Sequence, residues 1–205
     1  MRIEGSVAVV TGANRGLGRA FVEQLLARGA KRIYAGARDP SKLRDVVSSS
    51  GGRVVALRID LGDPASIAAA AKTAKDATLL INNAGALEFG SQISADLAGI
   101  RRDFETNYFG TLQVTRAFVP ALEANKNGAI VNVLAVVSLV SIPGLGGYSA
   151  SKAAAHSPAR DRASGPVRRV RQRSRGGKEA LRRHPFGDRA DRLREHHRDI
   201  GVPRQ

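Results

Sequence analysis

Residues 6–30 read "SVAVVTGANRGLGRAFVEQLLARGA", and how this stretch folds decides the rest of the chain. "SVAVVTG" (6–12) is a short apolar run closing on glycine, the pattern of a strand buried on both faces. "LGRAFVEQLLARGA" (17–30) repeats its apolar residues with helical period and ends at Gly29. Between them lies "TGANRGLG" (11–18), in which Gly12, Gly16 and Gly18 let the backbone turn tightly, approach a diphosphate and pack helix against strand. The spacing is GxxxGxG and not the general GxGxxG fingerprint, so the loop alone is also compatible with a plain strand-to-helix connection. Its position inside a strand-turn-helix unit is what points to a nucleotide.

Working outward, apolar runs at 32–37, 53–60, 77–85 and 128–138 predict four further strands. Helical patterns occupy 40–49, 64–75, 94–124 with a break near Gly99, and 148–156. Strands alternating with helices imply a mostly parallel sheet covered on both faces. The expected fold is therefore α/β, a Rossmann-type doubly wound parallel sheet, incomplete at its C-terminal side.

The chain has 205 residues and a formal net charge of +15, which suggests nucleic acid until the charge is mapped. Residues 1–156 carry 18 Lys/Arg against 12 Asp/Glu, whereas residues 157–205 carry 15 against 6. That last quarter has 11 apolar residues, four of them alanine, too few to offset its ordering entropy. We expect a dinucleotide-binding domain at 1–156 and a basic, disordered tail at 157–205. Arginine tracts bind phosphates without specificity, but the tail offers one aromatic residue, Phe186, for stacking on bases, so nucleic-acid binding ranks below the other readings. The absence of cysteine excludes disulfides and thiolate metal sites, and the tail's "EHH" lacks metal-ligand spacing. No apolar run reaches the roughly 18 residues of a membrane span, and the first residues lead into a strand and a turn instead of a signal peptide. A soluble cytoplasmic protein is expected.

Four motifs together resemble the short-chain dehydrogenases/reductases: "TGANRGLG" (11–18), "INNAG" (81–85), "TNYFG" (106–110) and "YSASK" (148–152). The resemblance covers about the first three quarters of the chain and stops in the tail. It implies a nicotinamide-dependent oxidoreductase acting on a small alcohol or carbonyl compound. It further implies that Gly12, Asn14, Arg15, Gly16, Leu17 and Gly18 cradle the cofactor. Asp60 with Leu61 would meet the adenine, and Asn83, Ala84 and Gly85 would lie near the adenosine ribose. Asn82 begins that last segment, whose amides also serve to satisfy a sharp strand-to-loop turn.

Cofactor choice has a physical argument. An acid at the end of the second strand accepts hydrogen bonds from a ribose 2′-hydroxyl, whereas arginine there accommodates a 2′-phosphate. By the family's pattern the acid position falls on Ala37, followed by Arg38, and Arg15 adds a second guanidinium. Both favour NADP (NADPH) over NAD. Asp39 is the counter-argument, but Asp39-Pro40 reads as a helix cap and first helical residue.

Carbonyl reduction needs a hydride and a proton for the developing alkoxide. A tyrosine of ordinary pKa near 10 is a poor proton donor at neutral pH, and an ammonium four residues along the helix is expected to lower it. Tyr148 and Lys152 have that spacing. The resemblance makes Tyr148 the acid/base, has Lys152 hold the nicotinamide ribose as well, and has Asn107 anchor a relay water.

Two departures stand out. Where the family usually carries a serine that orients the substrate oxygen, this chain has Ala135. A lost donor of that kind costs roughly 2.7–4 kcal/mol, on the order of a hundred- to thousandfold in rate. Ser138 and Ser141 are nearby but out of register, so they read first as loop residues. A cofactor-binding protein with little turnover is thus the alternative reading. Second, Pro158 interrupts the tyrosine helix, and no later segment reads as a buried strand or as the family's loop over the nicotinamide. The family commonly dimerises through this helix and the Asn107 region, so Pro158 bears on homo-oligomer formation too. An abrupt switch to arginine-rich sequence in mid-helix is what a reading-frame change would produce, and resequencing around the codon for His156 tests that.

Overall fold

The computed structural model describes residues 2–125, 128–140, 142–156 and 168–169. The expected tail, Ser141 and Pro158 lie outside the described residues, apart from the backbone of 168–169.

The elements alternate as predicted: β1 (Val7–Thr11), α1 (Gly16–Ala27), β2 (Arg32–Ala37), α2 (Arg44–Ser48), β3 (Val54–Arg58), α3 (Pro64–Thr73) and β4 (Leu79–Asn82). Then follow α4 (Leu97–Phe104), α5 (Thr111–Ala124), β5 (Ala129–Asn132), α6 (Gly146–His156) and a two-residue β6 (Arg168–Arg169). All pairings are parallel, in the order β3-β2-β1-β4-β5-β6. The sheet thus grows in both directions from β1, and the switch between β1 and β4 opens a crevice at the strands' C-terminal ends.

Both faces are covered because successive side chains along each buried strand are apolar. Ala8 and Val10 of β1, Ile33 and Ala35 of β2, and Leu79 and Ile81 of β4 pack with Val22 and Leu25 of α1 and Val46 of α2. The alternate set, Val7, Val9, Tyr34 and Leu80, packs with Ile67 and Ala70 of α3 and Val114, Phe118 and Leu122 of α5. Burying a side chain such as Phe118 contributes about 1.5–3 kcal/mol, so these two layers fix the sheet's register.

Two expectations are corrected. The 94–124 helix has no break at Gly99, which falls in the first turn of α4 behind the cap Asp96. The irregularity comes later, as a π-helical segment at Glu105–Gly110 between α4 and α5. Gly110 is pressed against Leu61, since a Cβ there would come within 2.6 Å of the Leu61 Cβ. The strand expected at 128–138 ends at Asn132, because its neighbour β4 ends at Asn82 and the last ladder bond runs from Val133 N to Asn82 O (2.9 Å). The two residues of β6 pair with Ala129 and Ile130 of β5.

Candidate active site

The glycine turn sits at the C-terminal end of β1. Gly12 and Gly16 have φ of 65° and 52°, conformations that side chains resist. A Cβ on Gly18 would fall on the Gly12 carbonyl oxygen, so the third glycine is what lets α1 approach β1. Arg15 is the N-cap of α1 but makes no side-chain capping bond, so its side chain satisfies none of the helix's first N–H groups. Leu17 beside them is 66% exposed, and Arg15 and Gly16 are exposed as well. This open, positive helix end with a shape only glycine permits fits a dinucleotide's diphosphate. Ala13 N donates to Gly36 O (2.9 Å), tying the turn to the end of β2, where Arg38 lies exposed two residues on. Neither Arg15 nor Arg38 joins an ion pair among the described residues. Asp39, by contrast, is committed to capping: its carboxylate accepts from Ser41 N (3.0 Å) at the start of the 3-10 turn Pro40–Leu43.

Beyond β3, Asp60 accepts from Gly62 N through Oδ1 (3.1 Å), while Leu61 is a core residue under the π segment. After β4, Asn83 donates through Nδ2 to the carbonyls of Thr11 (3.0 Å) and Gly12 (3.3 Å). The amides of Asn83 and Ala84 both donate to Thr11 Oγ1 (3.0 Å each). Thr11 is a linchpin the sequence reading passed over. Asn82 donates to Thr115 Oγ1 (2.9 Å) and Asn132 Oδ1 (2.8 Å), joining β4 to α5 and β5.

Asn107, on the π segment, is 1% exposed. Its Nδ2 donates to Ala86 O (2.9 Å) and Ser151 Oγ (2.9 Å), and its Oδ1 accepts from Ala86 N (2.9 Å). Ser151 in turn donates to Tyr148 O (2.8 Å). Gly85 marks where these groups meet: a Cβ there would be 2.9 Å from Asn107 Oδ1 and 3.2 Å from Lys152 Nζ. Lys152 is 7% exposed and donates to Val133 O (3.4 Å), with Nζ 5.8 Å from the centre of the Tyr148 ring. The fold therefore brings Gly85, Asn107, Tyr148 and Lys152 to one place at the ends of β4 and β5, while Arg38, Asp60 and Leu61 follow the ends of β2 and β3.

The electrostatics of the pair differ from the expectation. Burial, and secondarily the charge of Asp103, hold the Tyr148 phenol above its ordinary pKa, where lowering by Lys152 was anticipated. Nζ lies beside the ring with its bond spent on Val133 O, and burial pushes the Lys152 ammonium itself below the usual lysine value, against the opposing effect of Asp103. Ala135 ends an extended stretch (φ −111°, ψ 154°) and caps the 3-10 turn Val136–Ser138, so no hydroxyl arises at that position. Sequence reasoning also missed Ser151 and Asp103. Their signals were a second hydroxyl inside "YSASK" and an acid four residues before Asn107.

A parallel sheet with its glycine turn at the switch point defines a Rossmann-type α/β protein. The family model described as short chain dehydrogenase matches residues 6–165, and the chain belongs to that family. Among its relatives, mouse dehydrogenase/reductase SDR family member 7B is 36% identical over 162 residues, covering 73% of this chain and 50% of that protein. A Burkholderia cenocepacia J2315 short chain dehydrogenase, solved in complex with NADP, is 49% identical with a TM-score of 0.73, covering 78% of this chain and 65% of that one. A Burkholderia phymatum short chain dehydrogenase/reductase, solved in complex with NAD, is 27% identical with a TM-score of 0.76, covering 99% of this chain and 82% of that one. The chain spans half the length of the mouse relative. Among the described residues no helix is long and apolar enough to cross a membrane, and no three His, Asp or Glu side chains cluster to hold a metal.

Proposed function

We propose that the chain is an NADP(H)-dependent oxidoreductase that moves hydride between the nicotinamide and a small alcohol or carbonyl substrate. The observation that carries this is the convergence of Asn107, Tyr148 and Lys152 at Gly85, on the same sheet edge as the glycine turn. The turn at Gly12–Gly18 would hold the diphosphate against the start of α1, with Asp60 and Asn83–Gly85 along the adenosine end. Arg15 and Arg38 favour a 2′-phosphate, the more so because Asp39 is occupied as a cap. The B. cenocepacia relative solved with NADP supports that preference, and the B. phymatum relative solved with NAD keeps NADH in the test.

When bound, the reduced nicotinamide supplies the hydride. Tyr148 donates its hydroxyl proton to the substrate oxygen as that oxygen becomes an alkoxide, and regains a proton from solvent. Burial holds that phenol above its ordinary pKa, so it stays protonated at neutral pH but is a weaker acid than a free tyrosine, and its proton moves only to the more basic alkoxide as that forms. Lys152 sets the local charge and would meet the nicotinamide ribose, while Asn107 fixes the loop after β4 and the start of α6 around them. Binding titrations with NADPH and NADH, followed by NADPH oxidation across a carbonyl panel, test the reading. Absence of binding by either nucleotide to folded protein refutes it.

Ala135 favours a second reading, a cofactor-binding protein with little turnover, since the substrate oxygen loses a donor there. Binding without turnover, followed by turnover in Ala135→Ser, identifies that case.

A further inference from the structure

Asp103 is wholly buried, yet nothing in the proposed chemistry uses it. It lies on the face of α4 that continues through Ile100 and Asn107, and this face packs along α6. At one end of the seam a Cβ on Gly147 would come 3.0 Å from Ile100 Cγ1. At the other, Asn107 Nδ2 donates to Ser151 Oγ at 2.9 Å. Asp103 sits between these contacts, one turn from each, so its carboxyl is enclosed beside the residues of α6 that flank Tyr148 and Lys152. Its Oδ1 accepts from Glu88 N (3.1 Å), and its Oδ2 is buried with no partner among the described residues. Lys152 is the complementary case, a buried ammonium with one long bond to a carbonyl. A buried carboxylate oxygen without a partner and a poorly solvated ammonium are each costly alone, and opposite charges in one low-dielectric region stabilise one another without a direct ion pair.

We propose that Asp103 is a positioning residue for the Tyr148–Lys152 pair, its carboxylate being the counter-charge that keeps Lys152 an ammonium and Tyr148 an intact phenol. The directions of the perturbations agree. Burial lowers Lys152 while Asp103 opposes it; burial raises Tyr148 and Asp103 adds to it; burial raises Asp103 while Lys152 opposes it. The other charged groups facing Asp103 are Glu88 on the loop after β4 and Arg102 on α4, which form an exposed pair with each other (3.2 Å). The consequence for the chemistry, that Tyr148 keeps its proton until a more basic alkoxide forms beside it, rests on reading Tyr148 as the acid. The charge relation itself does not.

The test is an NMR titration of the full chain labelled at lysine Cε, tyrosine Cζ and aspartate Cγ, in wild type, Asp103→Asn and Asp103→Glu. Loss of a negative charge favours deprotonation of both neighbours, so in D103N the Lys152 and Tyr148 midpoints both shift down, while that of remote Tyr34 stays and D103E moves both back toward wild type. Repacking would act through burial, which moves a lysine and a tyrosine in opposite directions. Midpoints that move oppositely, or stay at wild-type values in folded D103N, overturn the proposal. Should D103N fail to fold, the wild type decides: Lys152 Cε must show an inflection at the Asp103 Cγ midpoint, and its absence overturns the proposal equally. The readout is protonation, so a wild-type chain without turnover would sink the oxidoreductase reading and leave this result standing.

Discussion

Asn107→Ala tests whether the amide is structural mortar for the site. In the folded chain that one side chain makes three bonds of 2.9 Å, to both backbone groups of Ala86 and to Ser151 Oγ, at 1% exposure. Truncation leaves the Ala86 N–H and C=O without partners, while Ser151 keeps its bond to Tyr148 O. Each orphaned buried group costs about 1–3 kcal/mol. Ala86 is only half-buried, so water recovers part of this and the expected loss is about 2–4 kcal/mol for the two groups. Against a total stability of about 5–15 kcal/mol that is a large fraction. At about 2–4 °C per kcal/mol for a domain of this size, Tm falls by about 4–16 °C. Urea denaturation followed by circular dichroism measures the change, and an unchanged m-value shows that the unfolded state is the same. Asn107→Asp keeps the acceptor for Ala86 N but sets a carboxylate oxygen against Ala86 O, so it should be no more stable than the alanine variant. An N107A midpoint within about 0.5 kcal/mol of wild type would refute the reasoning, because surface-like changes already span that range.

Four other expectations follow from the same geometry. Ala135→Ser restores a hydroxyl on a backbone that accepts serine, and carbonyl reduction should rise on the order of a hundred- to thousandfold in kcat/KM; an unchanged value means that residue is not what limits turnover. Arg38→Ala should weaken NADPH about ten- to a hundredfold and leave NADH within a few fold, as read by fluorescence titration; equal loss for both nucleotides removes the 2′-phosphate argument. Gly18→Ala drives a methyl onto the Gly12 carbonyl, costing about 1–3 kcal/mol by thermal melt and weakening either nucleotide. Asp63 caps α3 through Ala65 N and Ser66 N and pairs with Arg58, which holds its carboxyl below the ordinary aspartate range. Its stabilisation is therefore present above the unfolded-state pKa near 3.9 and lost as pH falls through the folded value, so D63A should lower Tm at neutral pH and converge with wild type in acid.

What the sequence determined alone is what depends on near neighbours in the chain. Apolar runs of strand length, helical periods and glycines at turns are properties of four or five consecutive residues, so the alternation of β1 to β5 with α1 to α6 was legible. So were the glycine turn, the Tyr148–Lys152 spacing and Asp39 as a cap. The π segment escaped because its packing is remote: Gly110, its last residue, fits against Leu61, nearly fifty residues earlier. Tertiary structure alone decided the charge environment. The Tyr148 pKa was expected to fall, from a lysine one turn away, yet it rises, because desolvation depends on everything packed around a group and the field comes from Asp103 on another helix. A sequence shows which charges exist, but only folding fixes which of them water no longer separates.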